Sequence, residues 1–195
     1  MSQIKIEANP SGGGIYTLQS GAGSTDRTIT LPDKAGEVAV GAGTIVQVVS
    51  TASETETVIS STTFTDIGLS ASITPSSSTN KVLVLVSAVG RWTRSSSNAG
   101  GGSKILRDST AIHTSQQSTG NGPLEERFQV TGSTSNLFWT RLNVHVLDSP
   151  ASTSSLTYKV QAAVYDTSSG GDVIFQQNST TTNSTSYITL MEVVA

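Results

Sequence analysis

Few residues of this chain are of the types that catalyse reactions, and their spacing does not suit catalysis. Only two histidines, His113 and His145, are present to act as a base, and no Gly-x-Ser-x-Gly motif presents a serine nucleophile. Glu125 and Glu126 are adjacent, and adjacent residues of a strand point to opposite faces, so they cannot form the paired carboxylates of a glycosidase. We therefore predict that the chain is not an enzyme and has no catalytic residue.

The sequence predicts no cofactor and no metal site. Cysteine is absent, which excludes disulfides and thiolate ligands. The loop from Asp166 to Asp172, DTSSGGD, resembles a calcium-binding loop only faintly, because it lacks the spacing and the closing Glu of an EF-hand. We interpret His145 as a partly buried sheet residue. Three copies of it around an axis could instead hold a metal ion, and the sequence leaves that alternative open.

Binding is the chemistry that the sequence supports best, because both tryptophans have polar neighbours of the kind that recognise sugars. An aromatic side chain flanked by Arg and Asn can bind a glycan. Loops on a rigid sheet are common recognition surfaces. The loops at 95–102 and 115–123 are the favoured surfaces. The alternative is that both tryptophans pack within a sheet or an interface. The candidate receptor-binding residues are Trp92, Arg94, Asn98, Trp139, Arg141 and Asn143.

Charge and hydropathy exclude two classes of partner. The chain has 11 Lys and Arg against 14 Asp and Glu, a net charge of −3, so it lacks the basic surplus that nucleic-acid binding requires. The longest apolar run, Val82–Val86, is far shorter than the roughly 20 residues that span a bilayer. We expect neither nucleic-acid binding nor membrane insertion, and the N-terminus shows no secretory signal.

The pattern of the chain predicts an all-β fold. Ser and Thr make up nearly a third of the residues, Val and Ile are abundant, and apolar residues alternate with polar ones in many short runs. No window has the spacing of an amphipathic helix. From residue 45 onward the predicted strands are Ile45–Thr51, Thr57–Ser60, Thr63–Leu69, Ala71–Thr74, Lys81–Trp92, Lys104–His113, Glu125–Thr131, Leu137–Leu147, Leu156–Tyr165, Val173–Gln177 and Ser186–Val194.

Strands of this number and spacing predict a β-sandwich, most simply a jelly roll. The Lys81–Trp92 strand is apolar on both faces, whereas the outer face of a sandwich sheet is usually polar. An apolar outer face needs a cover, and an interface between subunits is the most economical one. A covering loop or the N-terminal segment is the alternative.

The first 43 residues contain four short runs that the sequence predicts as strands, each with two apolar side chains. At roughly 1.5–3 kcal/mol for each buried aliphatic side chain, such a segment cannot offset its own ordering entropy. It must pack on another chain or domain. We therefore divide the chain into an N-terminal segment, 1–43, and a C-terminal β-sandwich, 44–195.

Three regions of the sequence resemble bacteriophage tail-fibre-like proteins of the type found in phages of marine and photosynthetic bacteria. The N-terminal stretch Thr25–Val40, TDRTITLPDKAGEVAV, preceded by Asn9–Leu18, is similar to the start of those proteins. The run Ile45–Val49, followed by Thr63–Leu69 and Ile73–Ser78, resembles the beginning of their C-terminal domain. The ending Ser186–Val194 resembles their last strand.

This resemblance implies a structural virion protein made in the host cytoplasm: a homotrimeric fibre with a short N-terminal β-hairpin shaft or collar. The N-terminal segment would attach to other virion proteins. The C-terminal domain would contact a glycan or protein of the host-cell surface. The alternative is a capsid or neck fibre or decoration protein with a structural role and little receptor binding.

Overall fold

A computed structural model describes residues 41–94, 98–116, 122, 126–129, 136–165, 171–178 and 183–195. These residues form strands and no helix, and hence no helix that could cross a membrane. Most of the predicted N-terminal segment lies outside them, so the boundary at residue 43 stays a prediction. The strands are β1 (Ile45–Ser53), β2 (Thr57–Ile59), β3 (Thr65–Ile73), β4 (Lys81–Arg94), β5 (Asn98–Arg107), β6 (Thr110–Thr114), β7 (Glu126–Gln129), β8 (Asn136–Asp148), β9 (Leu156–Val164), β10 (Asp172–Phe175) and β11 (Ser186–Val193).

The strands form two antiparallel sheets, as predicted. The six-stranded sheet runs β1-β11-β4-β10-β2, with β8 on the other side of β4, and the five-stranded sheet runs β3-β9-β5-β6, with β7 beside β5. With the short β2, β7 and β10 set aside, the remaining eight strands lie in the orders 1-8-3-6 and 2-7-4-5. This is the strand order of a jelly roll, which confirms the predicted fold.

The core lies between the two sheets and follows from alternation along each strand. On β4, for example, Val82, Val84, Val86 and Ala88 point inward and are buried. From the facing sheet, β3 and β9 contribute the other half of the core through residues such as Ile67 and Val160.

Two predicted boundaries were wrong for local reasons of backbone geometry. The run Lys104–His113 was predicted as one strand, but it turns at Asp108, which has φ +52, so that β5 and β6 form a hairpin. The runs Thr63–Leu69 and Ala71–Thr74 were predicted as two strands. They form the single strand β3 with a bulge between Asp66 and Leu69, where Gly68 has φ +72.

A partly buried ion pair joins the two sheets at the end of β8. The Arg107 guanidinium donates to both carboxylate oxygens of Asp148 at 2.8 and 2.7 Å, and the Tyr158 hydroxyl donates to Oδ2 at 2.8 Å. Burial and the hydrogen bond to Asp148 raise the pKa of Tyr158 above its ordinary value, and that same carboxylate raises the pKa of Arg107. Asp148 thus joins β8 of one sheet to β5 and β9 of the other.

A buried carboxylate fixes the loop before β4 in a similar way. Glu192 is 1% exposed, and its Oε1 accepts hydrogen bonds of 2.7 Å from the Ser76 backbone N–H, the Ser76 hydroxyl and the Asn80 amide. Burial alone raises the pKa of Glu192, but the hydrogen bonds from Asn80 and Ser76 outweigh it and hold the pKa below its ordinary value.

Candidate functional site

The large hydrophobic side chains that stand exposed in the described part of the chain all belong to the six-stranded sheet. They lie on β1, β2, β8 and β11 and are each about half exposed. An apolar surface concentrated on one face of a protein marks an interaction site. These residues are Ile45, Val46, Val48, Val58, Leu137, Trp139, Leu147 and Tyr187.

Strand register gathers most of these side chains into two patches. One row crosses four strands, with Leu147 opposite Leu83, Leu83 opposite Met191 and Met191 opposite Val48. We call this row, with the neighbouring Ile45 and Val46, the proximal patch, because Gly41, where the described chain begins, precedes β1 at this end. The distal patch lies at the other end of the sheet and consists of Val58, Leu137, Trp139 and Ile174.

Three of the six predicted receptor-binding residues lie together on this outer face. Trp139, Arg141 and Asn143 alternate along β8, and all three are exposed, with the Trp139 side chain at 48%. Trp139 stands opposite Arg91 of β4 and belongs to the distal patch. The structure therefore places an indole, a guanidinium and an amide side by side, within one strand and on one face.

Hydrogen bonds hold the polar members of this set in place. Arg141 Nη1 donates to the Ser87 hydroxyl at 3.1 Å, and Ser87 donates to Asn143 Oδ1 at 2.9 Å. The Asn143 amide in turn donates to the backbone carbonyl of Arg141 at 3.2 Å. The contact with Ser87 engages one nitrogen of a guanidinium that carries five N–H donors.

A depression of about 300 Å³ adjoins this network on the same face. Ser87 and Asn143 form part of it, and β11 contributes Tyr187 and Thr189. His145 and Leu85 border it from β8 and β4. Its volume is at the lower end of the range of small-ligand sites, roughly 300–1,000 Å³.

The chemistry of this surface is recognition by stacking and hydrogen bonding. Trp139 and Tyr187 offer aromatic faces, and Arg141, Asn143 and Ser87 offer donors and acceptors around neutral polar groups. Among the described residues, no group of three or more His, Cys, Asp or Glu side chains is placed to share a metal ion. Whether copies of His145 meet around an axis stays an open question of assembly.

Trp92 does not belong to this surface, contrary to the prediction. It points inward from β4, is 5% exposed and packs in the core. A Cβ added at Gly101 would collide with the Ala163 backbone oxygen and lie 2.5 Å from Trp92 Cη2, so both neighbours require glycine there. The glycine-rich residues 98–102, predicted as a loop, form a strand that pairs with β7 and β9.

The other two candidates cannot be placed at side-chain level. The Arg94 backbone pairs with Asn136 at the end of β4, and the Asn98 backbone pairs with Gln129 in the other sheet. Their side chains, residues 95–97 and most of the 115–123 loop lie outside the described residues, so their part in binding stays a prediction.

Sequence reasoning missed the contribution of β11 to this surface. Tyr187 and Thr189 reach the depression because β11 pairs with β4, from which it is about a hundred residues distant in sequence. Alternation in Ser186–Val194 indicated which residues share a face. No local pattern indicates which strand lies beside it.

Comparison with known proteins gives only weak structural similarities. No protein-family model matches the chain, and no curated protein matches it. The chain is similar to a protein in the structure of infectious bursal disease virus, Gt strain, with a TM-score of 0.30 and 13% identity over 87% of this chain and 42% of that one. For the Gx strain the TM-score is 0.33, with 14% identity over 87% and 41%.

A third similar structure is a variant of the VP2 protein of the same virus in T=1 particles, with a TM-score of 0.28 and 14% identity over 87% and 41% of the two chains. This chain spans about two fifths of the length of these proteins. At TM-scores this low the similarity is weak. The jelly roll described above follows from the strand order alone.

Proposed function

We propose that this chain is an external fibre protein of a virion whose jelly-roll domain attaches the particle to a host-cell glycan. The proposal rests on the tail-fibre-like sequence stretches and on one structural observation. That observation is the exposed set Trp139, Arg141 and Asn143 on a single strand face. The role proposed is binding, not catalysis, and involves neither nucleic acid nor membrane insertion.

The arrangement of these side chains suits a polar ligand with weakly apolar faces. A sugar ring presents C–H groups that stack on an indole and hydroxyls that bond to guanidinium and amide groups. The network through Ser87 holds Arg141 and Asn143 in one arrangement before a ligand arrives. Such preorganisation reduces the entropy lost on binding.

In this proposal the two ends of the chain have different tasks. Residues 1–43 attach to other virion proteins, and three copies assemble into the fibre. The described chain enters the sandwich at the proximal end of β1, and Trp139 lies towards the other end of the sheet.

Binding of the full chain to host cells and to a glycan array tests the proposal. We expect Trp139→Ala and Arg141→Ala each to weaken binding at least tenfold, equivalent to about 1.4 kcal/mol. Lys159→Ala is the matched control, because it removes a cation from the outer face of the five-stranded sheet. Variants at Trp139 and Arg141 that bind as tightly as the wild type would contradict the proposal.

A second candidate is a capsid or neck fibre or decoration protein with little receptor contact. The hydrogen bonds within the outer face favour this candidate. The Ser50 and Thr189 hydroxyls, for example, bond to each other at 2.9 Å, so that face can be buried in an assembly without unpaired hydroxyls there. Particles that lose stability without this chain, and whose host binding does not depend on it, would favour this candidate.

A further inference from the structure

We infer that the proximal patch is an interface at which copies of this chain pack against one another. The inference names a contact surface for the trimer of the proposed function and rests on that function only for the number of copies. The patch crosses β1, β11, β4 and β8 in one unbroken row. It uses none of the candidate glycan-binding residues.

The exposed side chains form the apolar centre of a possible contact. Ile45, Val46, Val48 and Leu147 are each about half exposed, and Leu83 and Met191 are half-buried. A standard interface buries about 800 Å² on each partner and consists of such an apolar centre with a polar rim.

The surface can be covered without leaving polar groups unpaired. In the next row of the sheet, the Ser50 and Thr189 hydroxyls bond to each other at 2.9 Å. Burying a hydroxyl is costly only when it has no partner, so this row tolerates loss of water.

Charge argues for another copy of this chain as the partner. No residue of the row from Val48 to Leu147 is charged, and the next row contains only His145 as a titratable group. Lys81 stands at the margin, opposite Val193, where interfaces are usually polar. Contacts with a different protein commonly use complementary charges for selectivity, and a self-contact through this surface needs none.

The rest of the described chain offers no other apolar surface to match it. The exposed large hydrophobic side chains lie on the six-stranded sheet, and the outer face of the five-stranded sheet bears polar groups such as Ser72, Asp66 and Lys159. Among the described residues, the apolar surface that can match the proximal patch is therefore the same row of side chains in another copy.

Matched substitutions on the same sheet test the inference. Val48 and Leu147, which are 56% and 53% exposed, become Ser in the test variant. Val58 and Leu137, at 53% and 54%, become Ser in the control. We expect the full-length test variant to sediment as a single folded chain, or to dissociate at least tenfold more readily than the wild type. The control should keep the wild-type mass.

A second measurement uses the absence of cysteine in the native chain. Leu147→Cys and Leu137→Cys each introduce a single thiol at nearly equal exposure, and a maleimide reports its accessibility. We expect the thiol at position 147 to react at least tenfold more slowly than that at 137, because neighbouring copies cover it.

Each combination of results supports or overturns the inference. An oligomer that loses mass in the Val48/Leu147 variant and protects position 147 supports it. A single-chain mass for the wild type overturns it, even if position 147 is protected, because the chain's own segments would then provide the cover. An oligomer that keeps its mass in the test variant also overturns it. Failure of glycan binding would contradict the proposed function and leave this result unchanged.

Discussion

The two sheets of this jelly roll have similar inner faces and opposite outer faces. Outside the five-stranded sheet, Asp66 accepts hydrogen bonds from Lys159 at 3.0 Å and from Gln161 at 2.7 Å, and Ser72 bonds to Thr157 at 2.9 Å. Outside the six-stranded sheet, neighbouring strands place apolar residues next to one another.

The inward-facing residues of both sheets serve the fold, since both bury an apolar face against the common core. The outward-facing residues differ between the two sheets. The five-stranded sheet completes its own polar contacts and is suited to water. The six-stranded sheet leaves apolar surface that a partner can bury, and this difference indicates where the molecule makes its contacts.

The largest effect should separate the two tryptophans, one inside the sandwich and one outside. Trp92→Ala removes a side chain that is 5% exposed, and we expect it to lower the free energy of unfolding by about 3–5 kcal/mol. Trp139→Ala, at 48% exposure, should cost less than about 1 kcal/mol in a single chain. Urea denaturation of both variants measures the difference, and equal losses would contradict the inside–outside assignment.

The next effect concerns the ion pair that joins the sheets. Asp148→Asn leaves the Arg107 guanidinium without its carboxylate, and a buried charge without its partner is costly. We expect the unfolding free energy to fall by about 2–4 kcal/mol. This is less than for a fully buried pair, because Arg107 is 20% exposed. Asp108→Asn, on the exposed turn nearby, serves as the control. A loss below about 0.5 kcal/mol for Asp148→Asn would show that the sheets do not depend on this pair.

An acid titration should distinguish the buried carboxylate of the six-stranded sheet from other acidic groups. The pKa of Glu192 in the folded state lies below its ordinary value of 4.5, so the unfolded state binds a proton more readily than the folded state. The contribution of Glu192 to the free energy of unfolding is therefore complete above about pH 4.5 and is lost as the pH falls through the lowered pKa.

Glu192→Gln should remove part of this acid dependence. At neutral pH it should lower the unfolding free energy by about 1–3 kcal/mol, because hydrogen bonds to a charged group are lost. Thermal melting between pH 2 and 7, compared with the wild type, measures both effects. An unchanged slope against pH in the variant would rule out Glu192 as a source of the acid sensitivity.

The smallest effect should come from the outer face of the five-stranded sheet. Asp66 is 51% exposed and Lys159 33%, and exposed ion pairs contribute about 0–1 kcal/mol. We expect Asp66→Ala or Lys159→Ala to change stability by less than about 0.5 kcal/mol and to leave the oligomeric mass unchanged. A change in mass would show that this face also makes contacts and would remove the distinction between the sheets.

Much of the fold could be predicted because the inward-facing residues alternate so regularly. The long runs Lys81–Trp92 and Leu137–Leu147 correspond closely to β4 and β8, and the apolar outer positions of β4 were evident from the sequence. These features depend on side chains two residues apart in the same strand.

What could not be predicted depends on residues distant in sequence. The glycine-rich start of β5 has the composition of a loop but pairs with β7 and β9, and a side chain at Gly101 would collide with the Ala163 backbone oxygen and with Trp92. Trp92 and Trp139 have similar local surroundings in sequence, and only the position of each within its strand, relative to the facing sheet, separates a core residue from a surface one. For the same reason Tyr187 could not be assigned to the surface that contains Trp139.

The mass of the full chain in dilute solution tests most directly whether the apolar sheet face is covered by further copies. Sedimentation equilibrium at micromolar concentration should give three times the 20.1 kDa of one chain, with a compact and folded protein. A folded, soluble species of 20.1 kDa under the same conditions would contradict the account.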